Sequence, residues 1–279
     1  MKNMFVFMPL FFGGALTDLC ALAHAVAAFF AYSFAASAIY CYNDIIDVDD
    51  DRRHSVKCLR PIASGALSVT AGYAVMAAMM MLSALMVAVS GSGRWSLAGV
   101  VAFYFLLDIA YCRVLKRHAI VDVCVLAFGF VLRILAGSAA TGVVASQWLV
   151  LMTFLLTLLL ALAKRRDDVL KMEASGEPPR HNTHRYNMSF INQSITVTAS
   201  VTLVCYIMYT MSPEVTARTN FSYVYLTTIF VILGLLRYMQ RTLVDEKTGD
   251  PTRLLYEDHV LQAVIGLWFA SYLVIIYLL

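Results

Sequence analysis

The sequence predicts an all-α, polytopic membrane helix bundle of about nine transmembrane helices, and three observations predict it. Of 279 residues, 61% are hydrophobic and only 14% charged, with a mean hydropathy of +0.74, far more apolar surface than a soluble domain needs for its core. The apolar residues fall into long runs near the ~20 residues that cross a bilayer. The cations are segregated to one set of connecting segments, as the positive-inside rule requires of a polytopic chain.

Taken in order, the apolar runs cover roughly residues 4–18, 19–42, 69–90, 95–112, 119–142, 146–164, 190–211, 221–240 and 259–279. They leave room for one bundle, residues 1–279, and for no separate soluble domain. The first run is short for a span; read as a surface helix instead, it would leave eight spans without disturbing the later loops. Ala23-His24-Ala25 resembles a signal-peptide cleavage site, but a second apolar run continues straight past it.

With a cytoplasmic N-terminus, the cytoplasmic segments are 1–3, 43–68, 113–118, 164–189 and 237–258. They hold 18 of the 21 Lys and Arg residues; Arg94 and Arg218 lie on the far side and Arg133 inside a span. The C-terminus is then expected to face away from the cytoplasm. Six cysteines show no C-x-x-C spacing and nearly all sit in or beside apolar runs, so no disulfide framework is expected.

The chemistry is concentrated where the second run meets the cytoplasm: Asn43-Asp44-Ile45-Ile46-Asp47-Val48-Asp49-Asp50-Asp51. On a continuing helix, Asp44, Asp47 and Asp51 stand at i, i+3 and i+7 and share a face with Asn43 beside them. Carboxylates at a helix C-terminus are disfavoured by the backbone dipole, so positive charge is needed there. Mg²⁺ is a hard cation usually held by one or two carboxylates plus substrate phosphate oxygens. A run of acids is more often a solvated loop. Here the acids follow an apolar span directly, and Arg52, Arg53, Lys57 and Arg60 follow them, as a metal-bridged diphosphate would require.

Other ionisable residues lie near or in the bilayer. Asp122 and Arg133 are 11 residues apart, three helical turns, and so fall on nearly the same face of the fifth run. An intramembrane Arg is by default a functional candidate; the structural alternative pairs Arg133 with Asp108 or Asp122. Gly129 and Gly137 flank it at four-residue spacing and would admit a neighbouring helix or a ligand. Lys116-Arg117 and Lys164-Arg165-Arg166-Asp167-Asp168 stand at cytoplasmic boundaries, the first explicable as anchoring, the second carrying acids that anchoring does not explain. On a continuing helix Lys164, Asp168 and Lys171 are neighbours. His181 and His184 have a metal-like spacing but no third ligand, and read as ordinary loop. No phosphate-binding loop of the G-x-x-x-x-G-K-[ST] type occurs, and no nucleic acid partner is expected.

The run Asn43-Asp44-x-x-Asp47-x-x-x-Asp51 resembles the first aspartate-rich motif of the UbiA superfamily of intramembrane prenyltransferases. Within it, the chain is most similar to the decaprenyl-phosphate phosphoribosyltransferase branch. The residues that carry this are Lys57-x-x-Arg60-Pro61-Ile62-Ala63-Ser64-Gly65, Leu115-Lys116-Arg117-His118 with Asp122, and Gly129-Phe130-Val131-Leu132-Arg133-x-x-Ala136-Gly137. Lys164-Arg165-Arg166, Tyr186-Asn187 and the stretch from Gly249-Asp250-Pro251 to Leu261-Gln262 add to it.

The resemblance implies a helix bundle around a central cavity open to the cytoplasm, in the inner cell membrane. It implies Mg²⁺ on Asp44, Asp47 and Asp51 with Asn43 beside them, and phosphate-holding roles for Lys57, Arg60, Lys116, Arg133, Lys164 and Arg165. Asp122, Asp168, Tyr186 and Asn187 join the expected substrate site. The implied reaction moves a 5-phosphoribosyl group from phosphoribosyl diphosphate to a polyprenyl phosphate and releases diphosphate. The nearest alternative is an ordinary prenyltransferase, with the lipid as donor and an aromatic or other small acceptor. A transporter using Asp122 and Arg133 as a relay is a rival from another class, opposed by the one-sided acids and the lack of paired broken helices. Two departures stand out. The family's second motif is usually D-x-x-x-D where this chain has Lys164-Arg165-Arg166-Asp167-Asp168, which puts a second metal in question. Lys2-Asn3 matches the end of a longer N-terminal motif, so a truncated or mis-assigned start is expected. Homo-oligomerisation is left open.

Overall fold

The computed structural model describes residues 2–53, 56–176, 179–180, 182–213, 215, 223–245, 254 and 256–277. His181, Arg218 and Gly249-Asp250-Pro251 lie outside them. Among the described residues the chain is helical and has no strand. The α-helices are α1 (Met8–Phe12), α2 (Leu19–Ile46), α3 (Val48–Arg53), α4 (Val69–Ala88), α5 (Arg94–Arg113), α6 (Val121–Thr141), α7 (Gln147–Ser175), α8 (Met188–Thr210), α9 (Thr228–Leu243) and α10 (His259–Tyr277).

Six helices are long and apolar enough to cross a membrane, namely Leu19–Ile46, Val69–Ala88, Gly91–Arg113, Val121–Thr141, Gln147–Ser175 and Met188–Thr210. Lys2–Phe12 and His259–Ile275 are shorter apolar helices. Two of the six outrun the bilayer. A helix of 28 or 29 residues, as in α2 and α7, is about 42–44 Å long, against a hydrocarbon core of about 30 Å. Each therefore carries a polar end, with Asn43 and Asp44 on that of α2 and Lys164, Arg165 and Asp168 on that of α7. The apolar run ending near residue 164 continues as helix to Ser175, well past the boundary expected from hydropathy.

Short polar side chains set the helix starts. Asp18 accepts from the Cys20 and Ala21 N–H groups at 2.9 and 3.2 Å, Ser68 from Ala71 at 3.2 Å, and Ser146 from Leu149 at 3.1 Å. Each satisfies a backbone donor that the first helical turn leaves open. Gly176, at φ 75°, ends α7 in the left-handed conformation that glycine adopts without strain.

The chain packs as two compact units, one of Met1–Lys116 and Phe128–Ala145, the other of Arg117–Ala127 and Ser146–Leu279. In the first unit, α2 presents a small-residue face: Ala28, Ala31 and Ala35 are buried in a core shared with α5, while Ala21 and Ala25 pack with Leu10 of the N-terminal segment. Small side chains let membrane helices approach closely, and Ser83 of α4 donates to the Ala31 carbonyl of α2 at 2.7 Å. Tyr32, Leu97, Val101, Tyr104, Leu132 and Ala136 complete this core with Val6. Gly137 is needed for that last contact: a Cβ there would run into the Val6 carbonyl oxygen.

In the second unit α7 packs on α8, and α9 on α10. Its core gathers Leu159, Leu162, Val169, Ile191, Ile195, Tyr238 and Leu261. Buried Asp258 accepts from Arg237 Nε at 3.0 Å and from the Leu261 N–H at 2.9 Å, with Arg241 Nε at 3.1 Å. Burial raises its pKa, but the bonds from Arg237 and Leu261 and the charges of Arg237 and Arg241 outweigh that and hold the carboxyl below the ordinary carboxylate range.

Candidate functional site

The predicted acidic face forms. Asp44 sits in the last turn of α2, Asp47 caps its C-terminus, and Asp51 lies in α3. The helical bonding pattern carries through the junction, with Asp47 N–H donating to the Asn43 carbonyl at 2.9 Å and Asp51 N–H to that of Asp47 at 2.8 Å. Asp44 and Asp51 consequently meet on a single cation: Arg60 Nη1 donates to Asp44 Oδ1 and Asp51 Oδ2, both at 2.8 Å. Lys57 Nζ stands 3.9 Å from Asp51 Oδ1, and Lys116 Nζ donates to Asp47 Oδ1 at 2.5 Å. Asn43 Oδ1 accepts from the Cys112 thiol at 3.4 Å. Asp49 and Asp50 turn outward to Arg52 and Arg53, at 3.5 and 2.8 Å.

Three carboxylates and three cations thus make a nearly neutral cluster, and all of it except Asp51 is partly open to solvent. The side chains of Asp44, Asp47 and Arg60 are 27%, 23% and 36% exposed, against 3% for Asp51. Charges at such exposure trade partners at little cost, because water screens them. Among the described residues no three His, Cys, Asp or Glu side chains are gathered at one point as a metal would hold them. The acids share a face as expected, but they close on Arg60 and Lys116 rather than on each other. The donor chemistry still suits a hard dication: Asp44 and Asp51 oxygens converge on one nitrogen, and a cation already stands where a metal charge would be balanced.

A second charged cluster lies in the other unit. Arg165, on α7, donates through Nε to Asp122 Oδ2 at 2.7 Å, places Nη2 at 2.7 Å from the same oxygen, and donates through Nη1 to Asp168 Oδ2 at 2.8 Å. Arg180 Nε is 3.0 Å from that Asp168 oxygen. The Tyr186 hydroxyl donates to Asp122 Oδ1 at 3.0 Å and accepts the Ile120 N–H at 2.7 Å. Arg165 and Asp122 side chains are only 2% and 1% exposed, and burial drives the Tyr186 hydroxyl well above the ordinary phenol pKa.

Next along α7, Arg166 donates to Asn192 Oδ1 at 3.0 Å and to the Leu243 carbonyl at 3.3 Å, while Lys171 pairs with Asp167 at 2.6 Å. Of the predicted neighbours Lys164, Asp168 and Lys171, therefore, Asp168 is engaged by Arg165 and Arg180 and Lys171 by Asp167. Lys164 is exposed. Asn187 accepts the Phe190 N–H at 2.7 Å and caps α8.

Arg133 does not pair with Asp122, as its helical register with that residue suggested. Its Nε donates to Asn3 Oδ1 at 2.8 Å and Nη1 to the Gly129 carbonyl at 2.7 Å. The guanidinium lies over the rings of Tyr32, Phe130 and Tyr104, at 4.8, 5.1 and 5.6 Å, which is favourable for a desolvated cation. Asp122 belongs instead to the other unit and its Arg165. The flanking glycines have separate uses: Gly129 supplies a carbonyl to Arg133, and Gly137 admits the backbone at Val6. Tyr32, Tyr104 and Arg180 were not singled out from the sequence, and Asn3 entered only as the end of an N-terminal motif. Their partners lie far along the chain or in an unpatterned loop, and no local spacing marks them.

Known proteins agree with this architecture. Residues 5–264 match the UbiA prenyltransferase family. The chain is 30% identical over 256 residues to a decaprenyl-phosphate phosphoribosyltransferase of Mycolicibacterium smegmatis, covering 88% of this chain and 77% of that protein. It is also 30% identical over 255 residues to the enzyme of that name from Corynebacterium glutamicum, covering 90% and 75%. Among solved structures, a UbiA homologue from Archaeoglobus fulgidus bound to DMAPP and Mg²⁺ superposes with a TM-score of 0.72 at 17% identity, over 100% of this chain and 96% of that one. With a family match over nearly its whole length and a helical fold of the same kind, this chain belongs to the UbiA prenyltransferase family and is a transferase of that superfamily.

Proposed function

We propose that this chain transfers a 5-phosphoribosyl group from phosphoribosyl diphosphate to a polyprenyl phosphate, with Mg²⁺, in the inner cell membrane and from the cytoplasmic side. The observation that carries this reading is the solvent-open cluster of Asp44, Asp47 and Asp51 with Arg60, Lys57 and Lys116 at the projecting end of α2. Relatives at about 30% identity bearing the phosphoribosyltransferase name support the donor and acceptor assigned. The bundle is read as nine spans: the six long helices, the two shorter apolar ones and α9.

In this reading Asp44, Asp47 and Asp51 hold the metal, which when bound would neutralise the charge building on the diphosphate leaving group. Arg60, Lys57 and Lys116 release carboxylates and take phosphate oxygens, an exchange that their exposure permits. An oxygen of the lipid phosphate forms the new bond to C1 of the ribose as the bond from C1 to diphosphate breaks, and the electron pair departs with diphosphate. The cations stabilise the charge that develops, and no protein nucleophile is required. Asn43 contacts substrate, whereas Asp122, Arg165, Asp168, Tyr186 and Asn187 hold the backbone of their own unit. Arg133 fixes the N-terminal segment through Asn3.

The test is to incubate purified protein and Mg²⁺ with radiolabelled phosphoribosyl diphosphate and a polyprenyl phosphate. Labelled lipid that disappears on chelation is expected. No labelled lipid, together with consumption of a prenyl diphosphate and an aromatic acceptor, would replace this reading with the prenyltransferase one.

A further inference from the structure

Ile120 has φ of +69°, the one positive value at a non-glycine residue among the described residues. For a β-branched side chain this is a true outlier. The Val121 N–H donates to the Ala119 carbonyl at 2.8 Å, which makes Ile120 the centre of a γ-turn of the rare, strained hand. Packing does not impose the conformation, because the Ile120 side chain is 54% exposed.

Hydrogen bonds do. The Ile120 N–H donates to the Tyr186 hydroxyl, which in turn donates a hydrogen bond to Asp122 Oδ1. One hydroxyl can accept and donate at once, so both contacts are satisfied. Asp122 is itself fixed by Arg165, and its N–H donates to the His118 carbonyl at 3.1 Å. A strained turn is thus tied at both sides to a buried network. Immediately before it come His118, Arg117 and Lys116, the last of which holds Asp47.

We propose that Tyr186 is a positioning residue: by holding the Ile120 turn it sets the backbone of the basic loop Lys116–Ala119, and with it the presentation of Lys116 to the donor's phosphates. This rests on the phosphoribosyl-transfer reading above. Strain of this kind persists only where the surroundings over-determine it, and it concentrates at functional sites.

The test combines Tyr186→Phe, which keeps the ring and removes the hydroxyl, with Ile120→Gly, which makes a positive φ free of strain. Tyr186→Phe is expected to raise the KM for phosphoribosyl diphosphate about tenfold, the order of one lost hydrogen bond, while kcat changes less than about twofold. Ile120→Gly alone is expected to stay near wild type, and in that background the Tyr186→Phe effect is expected to shrink to about twofold. An equal KM rise in both backgrounds, or no rise in either, overturns the proposal.

Should Tyr186→Phe fail to fold, Ile120→Pro bars the turn from the other side, and a wild-type KM there overturns it equally. Hydrogen exchange across residues 117–124 needs no substrate: faster exchange is expected in Tyr186→Phe, and unchanged exchange refutes the tie. A wild-type protein without phosphoribosyl transfer, by contrast, would sink the proposed function and leave this exchange result to stand or fall by itself.

Discussion

The two charged clusters use the same residue types to opposite ends. Around Arg60, the side chains of Asp44, Asp47, Lys116 and Arg60 itself are a quarter to a third exposed although Asp51 is buried, and one guanidinium nitrogen serves two acids. Around Arg165, the ion pairs are almost wholly buried and Asp122 has both oxygens engaged. Screening makes the first set exchangeable; desolvation makes the second permanent, since removing either partner strands a charge. Exposure, more than the identity of the residues, separates a cluster that can accept a ligand from one that braces the chain.

The sharpest way to break this contrast is to remove an acid from the open cluster. Asp44→Ala or Asp47→Ala is expected to lower transfer at least about a hundredfold, as loss of a metal or charge-stabilising group does. Thermal stability in detergent should change little, and near-wild-type turnover would return the acids to a solvated loop. In the closed cluster, Arg165→Ala is expected to cost about 3–5 kcal/mol of stability by leaving Asp122 buried and uncompensated. Melting and detergent-solubilised yield measure it; an unchanged melting temperature would mean the pair is not sealed.

Smaller effects sharpen the picture. Gly137→Ala should destabilise by about 1–3 kcal/mol, because its methyl group meets the Val6 backbone and overpacking is not relieved by a rotamer change. Asp258 offers a pH signature. Its folded pKa lies below the ordinary value, so its contribution is complete above the unfolded carboxylate pKa of about 4 and is lost as pH falls through the lower folded value. Asp258→Asn should remove that portion of the acid sensitivity in a melting-temperature series, and an identical pH profile would refute the linkage.

The sequence made most of the open cluster legible because, Lys116 apart, its parts are local. Asp44, Asp47 and Asp51 are spaced by helical turns at the end of an apolar run, and Lys57 and Arg60 follow within ten residues of the last acid. The closed cluster was legible only as ingredients. Arg165 finds Asp122 across 43 positions and Arg133 finds Asn3 across 130, and periodicity tells which face a residue occupies, not which neighbour meets it. Asp122 and Arg133 do share a helix, yet they serve different units, so register suggested a pairing that packing does not form. The γ-turn at Ile120 left no trace at all, since isoleucine is a poor residue for it and only a distant tyrosine maintains it. The helical class was plain from composition, while the helix ends were set by Asp18, Ser68, Ser146 and Gly176 rather than by where hydropathy falls off.

The alanine stripe of α2 has a mechanical corollary. That helix is a continuous rod from Leu19 to Ile46, stiff over its whole span, with its bearing surface along Ala28, Ala31 and Ala35 and the carboxylates at its tip. A wider side chain at one of those alanines would act as a shim near the fulcrum of a lever. The tip would swing although no acidic residue had been altered, and a methylene added in the oily interior would register as lost chemistry at the water's edge.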